Sequence, residues 1–146
     1  MDMKVKIKSQ AHRKFKHLKN YTSLNYNSLP DGFQDITLQE SENLIGIYAT
    51  EIQGNTDSLL LTNYSAYINK DGKIKIVPWT LLQSVDSPPI EQKYTAESLK
   101  LTLHSGEIVE VPIRGGRGNL RDVWAFVSFF KQVILILALG RAPEER

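Results

Sequence analysis

Three histidines and a few closely spaced carboxylates are the residues that could carry acid–base chemistry. His12 and His17 lie five residues apart, a spacing that does not place them on one helix face, and His104 sits at a Ser-Gly turn. A general acid and a general base must share one cleft and have separated pKa values. Nothing in the sequence links the paired carboxylates to a cleft, and surface solubility is the better account of them. These pairs are Glu40/Glu42, Glu107/Glu110 and Glu144/Glu145.

Several common enzyme motifs are absent from the sequence. The chain has 146 residues and no cysteine, which excludes a disulfide scaffold, a thiolate metal site and a cysteine nucleophile. No nucleophile elbow, zinc-protease helix, EF-hand or P-loop pattern occurs. We therefore predict a protein that is not an enzyme and that needs no metal or cofactor. The lack of cysteine fits a cytoplasmic location, and residues 1–8 hold no apolar segment typical of a signal peptide.

A glycine-rich loop is the strongest candidate for anion binding. Residues 114–119 read RGGRGN and precede the start of a helix. Free backbone N–H groups at a helix start, together with guanidinium groups, can hold a phosphate or a carboxylate. Three arginines would serve there, namely Arg114, Arg117 and Arg121. The alternative is a strand-to-helix connector with exposed arginines, which we favour because glycine-rich turns are common where no ligand binds.

The N-terminal segment is strongly basic and the rest of the chain is mildly acidic. Residues 1–19 carry seven basic side chains and one carboxylate, a formal charge of +6. Of the 18 basic and 16 acidic groups in the chain, 11 and 15 remain, a formal charge of −4 for the body. Nucleic-acid binding by the body is therefore not expected. The basic side chains of this arm are Lys4, Lys6, Lys8, Arg13, Lys14, Lys16 and Lys19.

Two interpretations of the basic arm stay open at this stage. Its charges could attract anionic lipid headgroups or nucleic-acid phosphates, and Phe15 and Leu18 could add a weak membrane anchor. Alternatively, the arm is a solvated tail or an extension that becomes ordered on the acidic body.

An unusually apolar segment lies near the C terminus. Apolar residues between Val123 and Leu137 recur at spacings of three and four, which predicts a helix over about residues 120–139, with Asn119 as its N-cap. The second half of this helix is apolar on every face, and something must cover the surplus side chains Leu135, Ile136 and Leu139. A transmembrane span is not expected, because the run is short and Lys131-Gln132 interrupts it. The cover would come from Tyr21, Leu24 and Phe33 of the preceding connector, or from a partner such as a second copy of the chain.

The elements that would position these residues are mostly strands. Alternation of polar and apolar residues, interrupted by turn signals, predicts six or seven short antiparallel strands from about residue 36 to residue 111. The clearest turn signal is Asp71-Gly72. We therefore divide the chain into a basic arm and connector, residues 1–35, and an α+β domain, residues 36–146, which ends in the helix.

The order of these elements resembles that of a pleckstrin-homology-like (PH-like) domain, in its GRAM or bacterial variant, over residues 36–137. The resemblance rests on residues 42–48 (ENLIGIY), 59–63 (LLLTN), 77–79 (VPW) and 122–126 (DVWAF). Trp124 corresponds to the tryptophan common in the capping helix of these families. The resemblance implies a strongly bent antiparallel β-barrel of about seven strands, capped by a C-terminal α-helix.

One departure from the family pattern bears on function. Phosphoinositide-binding members carry lysine and arginine in the loop between the first two strands, whereas residues 52–57 (IQGNTD) contain no basic residue. Headgroup binding in the usual pocket is therefore not expected. We predict a non-catalytic PH-like binding module that recognises another protein or self-associates, with a regulatory or immunity-type role. The alternative is a peripheral module that binds anionic membranes through the basic arm.

Overall fold

The computed structural model describes residues 3–25, 28–52, 55–116 and 121–141. Within these residues the chain forms two α-helices, eight β-strands and two single-turn 3₁₀ helices, Trp79–Leu81 and Ile90–Gln92. The helices and strands are α1 Met3–Phe15, β1 Tyr21–Ser23, β2 Leu44–Ile52, β3 Asn55–Thr62, β4 Ser65–Lys70, β5 Lys73–Pro78, β6 Leu82–Asp86, β7 Ser98–Leu103, β8 Ile108–Pro112 and α2 Asp122–Arg141.

The strands form two antiparallel sheets. Strands β1 to β5 follow one another in order in a five-stranded sheet, and β6 to β8 form a three-stranded sheet. The predicted α+β class, with antiparallel strands and a C-terminal helix, is confirmed. The two sheets share no ladder of backbone hydrogen bonds among the described strands, so the predicted barrel is not closed there.

The turn between β4 and β5 has the geometry that its sequence predicts. Asp71 and Gly72 have φ angles of 54° and 80°, the left-handed conformation that a two-residue hairpin turn requires. The flanking residues Lys70 and Lys73 are paired across the ladder.

The main core lies between the sheets and α2. The 3-and-4 spacing of apolar residues on α2 turns Phe126, Phe130 and Val133 inward, where they are fully buried. The ring of Trp79, which directly follows β5, lies 5.9 Å from the ring of Phe129. The helix therefore packs against the inner face of the sheets and closes the main core.

A smaller core covers the opposite face of the five-stranded sheet. Leu24 and Phe33, from the connector before β2, pack there against Leu60 and Tyr67. Because side chains alternate between the faces of a strand, these residues lie on the face that points away from α2. The prediction that Leu24 and Phe33 cover the surplus apolar surface of α2 is therefore wrong. Tyr21 alone among the three proposed covering residues joins the main core.

The basic arm forms helix α1, and the apolar face of α1 belongs to the main core. Ile7, Ala11 and Phe15 occur at spacings of four residues and are buried. The ring of Phe15 stacks on that of Phe126, with centroids 4.1 Å apart, and lies 5.0 Å from Phe129. Residues from both sides of the predicted boundary at residue 35 thus share one core.

Candidate binding surfaces

Basic side chains of α1 and of the segment that follows it form a cationic surface, which we call the basic face. It consists of the described basic side chains of α1 and of the segment that follows it, which are exposed apart from the half-buried Lys14. Those near the end of α1 also favour the helix, since the C-terminal end of a helix dipole attracts cations. The members are Lys6, Lys8, Arg13, Lys14, Lys16 and Lys19; Lys4 lies in α1, and its side chain falls outside the described part of the structure.

The ion pairs of the described residues all lie in the body of the protein. They are Lys70–Glu110, Lys75–Glu107, Arg114–Asp57 and Arg121–Glu97. In the first pair the hydrogen bond raises the pKa of the Lys70 ammonium and lowers the pKa of the Glu110 carboxyl. No described side chain of the basic face takes part in such a pair. Helix α1 is therefore held by its apolar face, and its charges remain available to a partner.

The two described arginines of the predicted anion site, Arg114 and Arg121, bind to different parts of the body. The guanidinium of Arg114 lies 3.1 Å from the buried carboxylate of Asp57 on β3. Arg121 donates a hydrogen bond of 2.7 Å to the carbonyl oxygen of Ala96 and lies 3.8 Å from Glu97. Arg117, like the proposed N-cap Asn119, falls outside the described residues. The two described arginines thus hold the loop to the body.

A buried polar cluster, which the sequence analysis did not predict, joins β2 to the start of α2. The hydroxyl of Tyr48 donates a hydrogen bond of 2.7 Å to Asp122 Oδ2 and accepts one of 2.9 Å from the backbone N–H of Gly115. A Cβ on Gly115 would collide with both the Tyr48 hydroxyl and the Asp122 carboxylate, so the position requires glycine. Burial, and then the neighbouring Asp122, raise the pKa of Tyr48. The glycine loop therefore serves tight packing at this point.

Glu42 corrects the interpretation of the Glu40/Glu42 pair as surface carboxylates. Glu40 is exposed, but Glu42 is only 2% exposed. Its Oε2 accepts hydrogen bonds of 2.6 Å from the hydroxyls of Thr62 and Tyr67, and its Oε1 accepts one of 3.0 Å from the Gln39 N–H. The carboxylate fastens the connector to β3 and β4. A single sequence cannot reveal this, because its partners lie 20 and 25 residues away.

The three histidines belong to two different parts of the fold. His12 and His17 are exposed near the end of α1, and His104 is exposed in the turn after β7. Among the described residues, no three histidine or carboxylate side chains are grouped as metal ligands would be.

The apolar end of α2 is partly covered. Leu135 and Leu139 are 48% and 60% exposed, whereas Ile136 is 9% exposed and belongs to the main core. Ile136 is therefore not part of the exposed surface to which the sequence assigned it. By length and composition Asp122–Leu139 would suffice to cross a membrane, with a mean hydropathy of 1.8. A helix buried in a protein core meets the same criterion, and Phe126 and Phe129 of this helix are fully buried.

Comparison with known proteins gives no relative for this chain: no protein family, no curated protein and no solved structure matches it.

Proposed function

We propose that this protein is a non-catalytic, PH-like binding module whose binding surface is the basic face of α1, and that its partner is an anionic membrane. The observation that carries the proposal is that α1 docks through Ile7, Ala11 and Phe15, whereas none of its described cations takes part in an ion pair. The PH-like description is supported by the order of strands β2 to β8 followed by α2.

The arrangement suits a surface better than a small ligand. Lys6 and Arg13 lie on the side of α1 opposite to the buried Ile7, Ala11 and Phe15, and Lys16 directly follows the helix. A rigid row of cations keeps its charges at one distance from a flat anionic surface, whereas a solvated tail would lose conformational entropy on binding. The body carries a formal charge of −4 and would be repelled by such a surface, so the protein would be oriented with α1 towards the membrane.

Removing three of these charges tests the proposal. We expect the triple variant Lys6→Gln, Arg13→Gln, Lys16→Gln to bind vesicles of phosphatidylcholine and phosphatidylserine about 100-fold more weakly than the unmodified protein. Each lysine or arginine near an anionic membrane contributes about 1 kcal/mol, and about 1.4 kcal/mol is a factor of ten. Co-sedimentation with the vesicles, followed over a range of lipid concentrations, gives the partition coefficients.

A matched control variant separates the position of the charges from their number. Lys73→Gln, Lys93→Gln, Lys100→Gln removes three exposed cations from the body and should keep most of the binding. Raising the salt concentration should weaken binding of the unmodified protein, because the Debye length falls from about 10 Å at 0.1 M to about 3 Å at 1 M. The proposal would be contradicted if the two triple variants lost vesicle binding to the same extent, or if the protein bound duplex DNA more tightly than the vesicles.

A second candidate function is self-association through the end of α2, and the exposed side chains of Leu135 and Leu139 favour it. Adjacent exposed leucines on a helix are typical of a protein–protein contact. We expect a concentration-dependent dimer in sedimentation equilibrium that is lost in the variant Leu135→Gln, Leu139→Gln. A monomer at millimolar concentration would exclude self-association.

A further inference from the structure

A cleft opens between one flank of α1 and the edge strand β1. It has a volume of about 400 Å³, within the usual range of sites for small ligands. One side is formed by Lys8, Ser9 and His12 of α1, and the other by Ser23 and Asn25. Tyr21 and Ile45 line the space between the two sides.

The interior of the cleft is apolar and fixed in place. Tyr21 is 9% exposed and Ile45 is 5% exposed, so both present small apolar surfaces to the cleft and are otherwise packed in the core. The ring of Tyr21 lies 5.0 Å from that of Phe15. It also lies so close over Gly46 that a Cβ there would collide with its hydroxyl. The apolar wall of the cleft is therefore formed without a ligand, and the missing side chain at Gly46 leaves the space that the Tyr21 ring occupies.

The rim of the cleft is polar and cationic. Lys8 and His12 lie one helical turn apart on the same flank of α1, and Ser9 lies between them. Ser23 and Asn25 add hydrogen-bonding groups on the opposite side. Among the residues that the structure describes, no carboxylate lines the cleft. The described neighbours of an anion at the rim would therefore be neutral or positive.

We propose that this cleft binds a small amphipathic anion, a phosphate monoester with a short apolar group. The phosphate would lie between Lys8 and His12, and the apolar group would lie against Tyr21 and Ile45. The site goes beyond membrane docking by the basic face, because it needs a cavity and an apolar wall as well as charge. Such a ligand could be a soluble ester or the headgroup region of a lipid.

Isothermal titration calorimetry with n-hexyl phosphate, inorganic phosphate and hexanol tests the proposal directly. We expect hexyl phosphate to bind at least tenfold more tightly than either of the other probes, since each of them matches only half of the cleft. Lys8→Gln, His12→Gln should weaken hexyl phosphate binding at least tenfold. Ser23→Phe, at an exposed strand position where an aromatic residue is well tolerated, should fill the cleft and abolish binding without altering charge.

The control is Lys73→Gln on β5, at the opposite edge of the five-stranded sheet, which should leave binding unchanged. Inorganic phosphate binding as tightly as hexyl phosphate, or undiminished binding by Ser23→Phe, would overturn the proposal. Ser23→Phe retains the basic face and should still bind anionic vesicles, so failure of the cleft and failure of membrane docking are distinguishable. If phosphatidic acid vesicles displace hexyl phosphate, the ligand is assigned to a lipid. If they do not displace it, the ligand is assigned to a soluble ester.

Discussion

Stability against urea should fall steeply above about pH 10, the ordinary pKa of tyrosine. Burial raises the pKa values of Tyr21, Tyr48 and Tyr67 in the folded protein well above that value. The folded state therefore retains protons that the unfolded state releases. The stability linked to these phenols is complete below about pH 10 and is lost as the pH rises further.

The expected size of this effect is large. Tyr21 and Tyr48 are both at least nine-tenths buried. Each removes about 1.4 kcal/mol from the free energy of unfolding for every pH unit above 10, so together they remove about 3 kcal/mol per pH unit. Tyr67 acts in the same direction. Since domains of this size have about 5–15 kcal/mol of stability, a loss of this size within one pH unit should lower the midpoint of urea unfolding clearly.

Urea unfolding, followed by tryptophan fluorescence at several pH values between 8 and about 11.5, gives the slope of the free energy of unfolding against pH. The ultraviolet absorbance of tyrosinate shows at which pH the buried phenols ionise. Tyr48→Phe should make the slope shallower, although it also lowers stability at neutral pH by leaving Asp122 without its donor. Tyr94→Phe is the control, because Tyr94 is exposed. A stability that stays level from pH 9 to 11 would show that these phenols are accessible to water.

Replacing Phe15 by alanine should cost about 3–5 kcal/mol, the usual range for removing a buried phenylalanine side chain. Phe15 is fully buried and its ring contacts those of Phe126, Phe129 and Tyr21. The change would leave a cavity between α1 and α2 and release the helix that carries the basic face. Urea unfolding gives the free energy, and hydrogen exchange of the α1 amides reports whether α1 detaches.

The neighbouring exposed residue supplies the control for this experiment. Lys16→Ala should change the free energy of unfolding by less than about 0.5 kcal/mol. If α1 were a solvated tail, Phe15→Ala would cost no more than Lys16→Ala. Fast exchange of the α1 amides in the unmodified protein would support the same conclusion.

The antiparallel strands and the C-terminal helix could be predicted from the sequence because their signals are local. Alternation over residues 73–77 and the Asp71-Gly72 turn specify the β4–β5 hairpin within a short stretch of chain. The 3-and-4 spacing of large apolar side chains specifies α2, which begins at Asp122, two residues after the predicted start. In both cases the pattern is dense, so neighbouring residues alone determine the element.

The sequence also separated the basic arm from the acidic body, but the fold of that arm depended on the rest of the chain. Ile7, Ala11 and Phe15 are three apolar positions among many charges, a pattern too sparse to predict a helix. The helix is stabilised by the surface that α2 offers to it, as short isolated helices are marginal in water.

By itself the sequence determined the antiparallel strands, the C-terminal helix and the uneven distribution of charge. Only the tertiary structure decided that Glu42 is buried, that the arginines of the glycine loop are engaged by the body, and that a cleft opens beside Tyr21. The reason is physical: a hydrophobic period is set by adjacent residues, whereas burial, hydrogen-bond partners and cavities depend on groups brought together from distant parts of the chain.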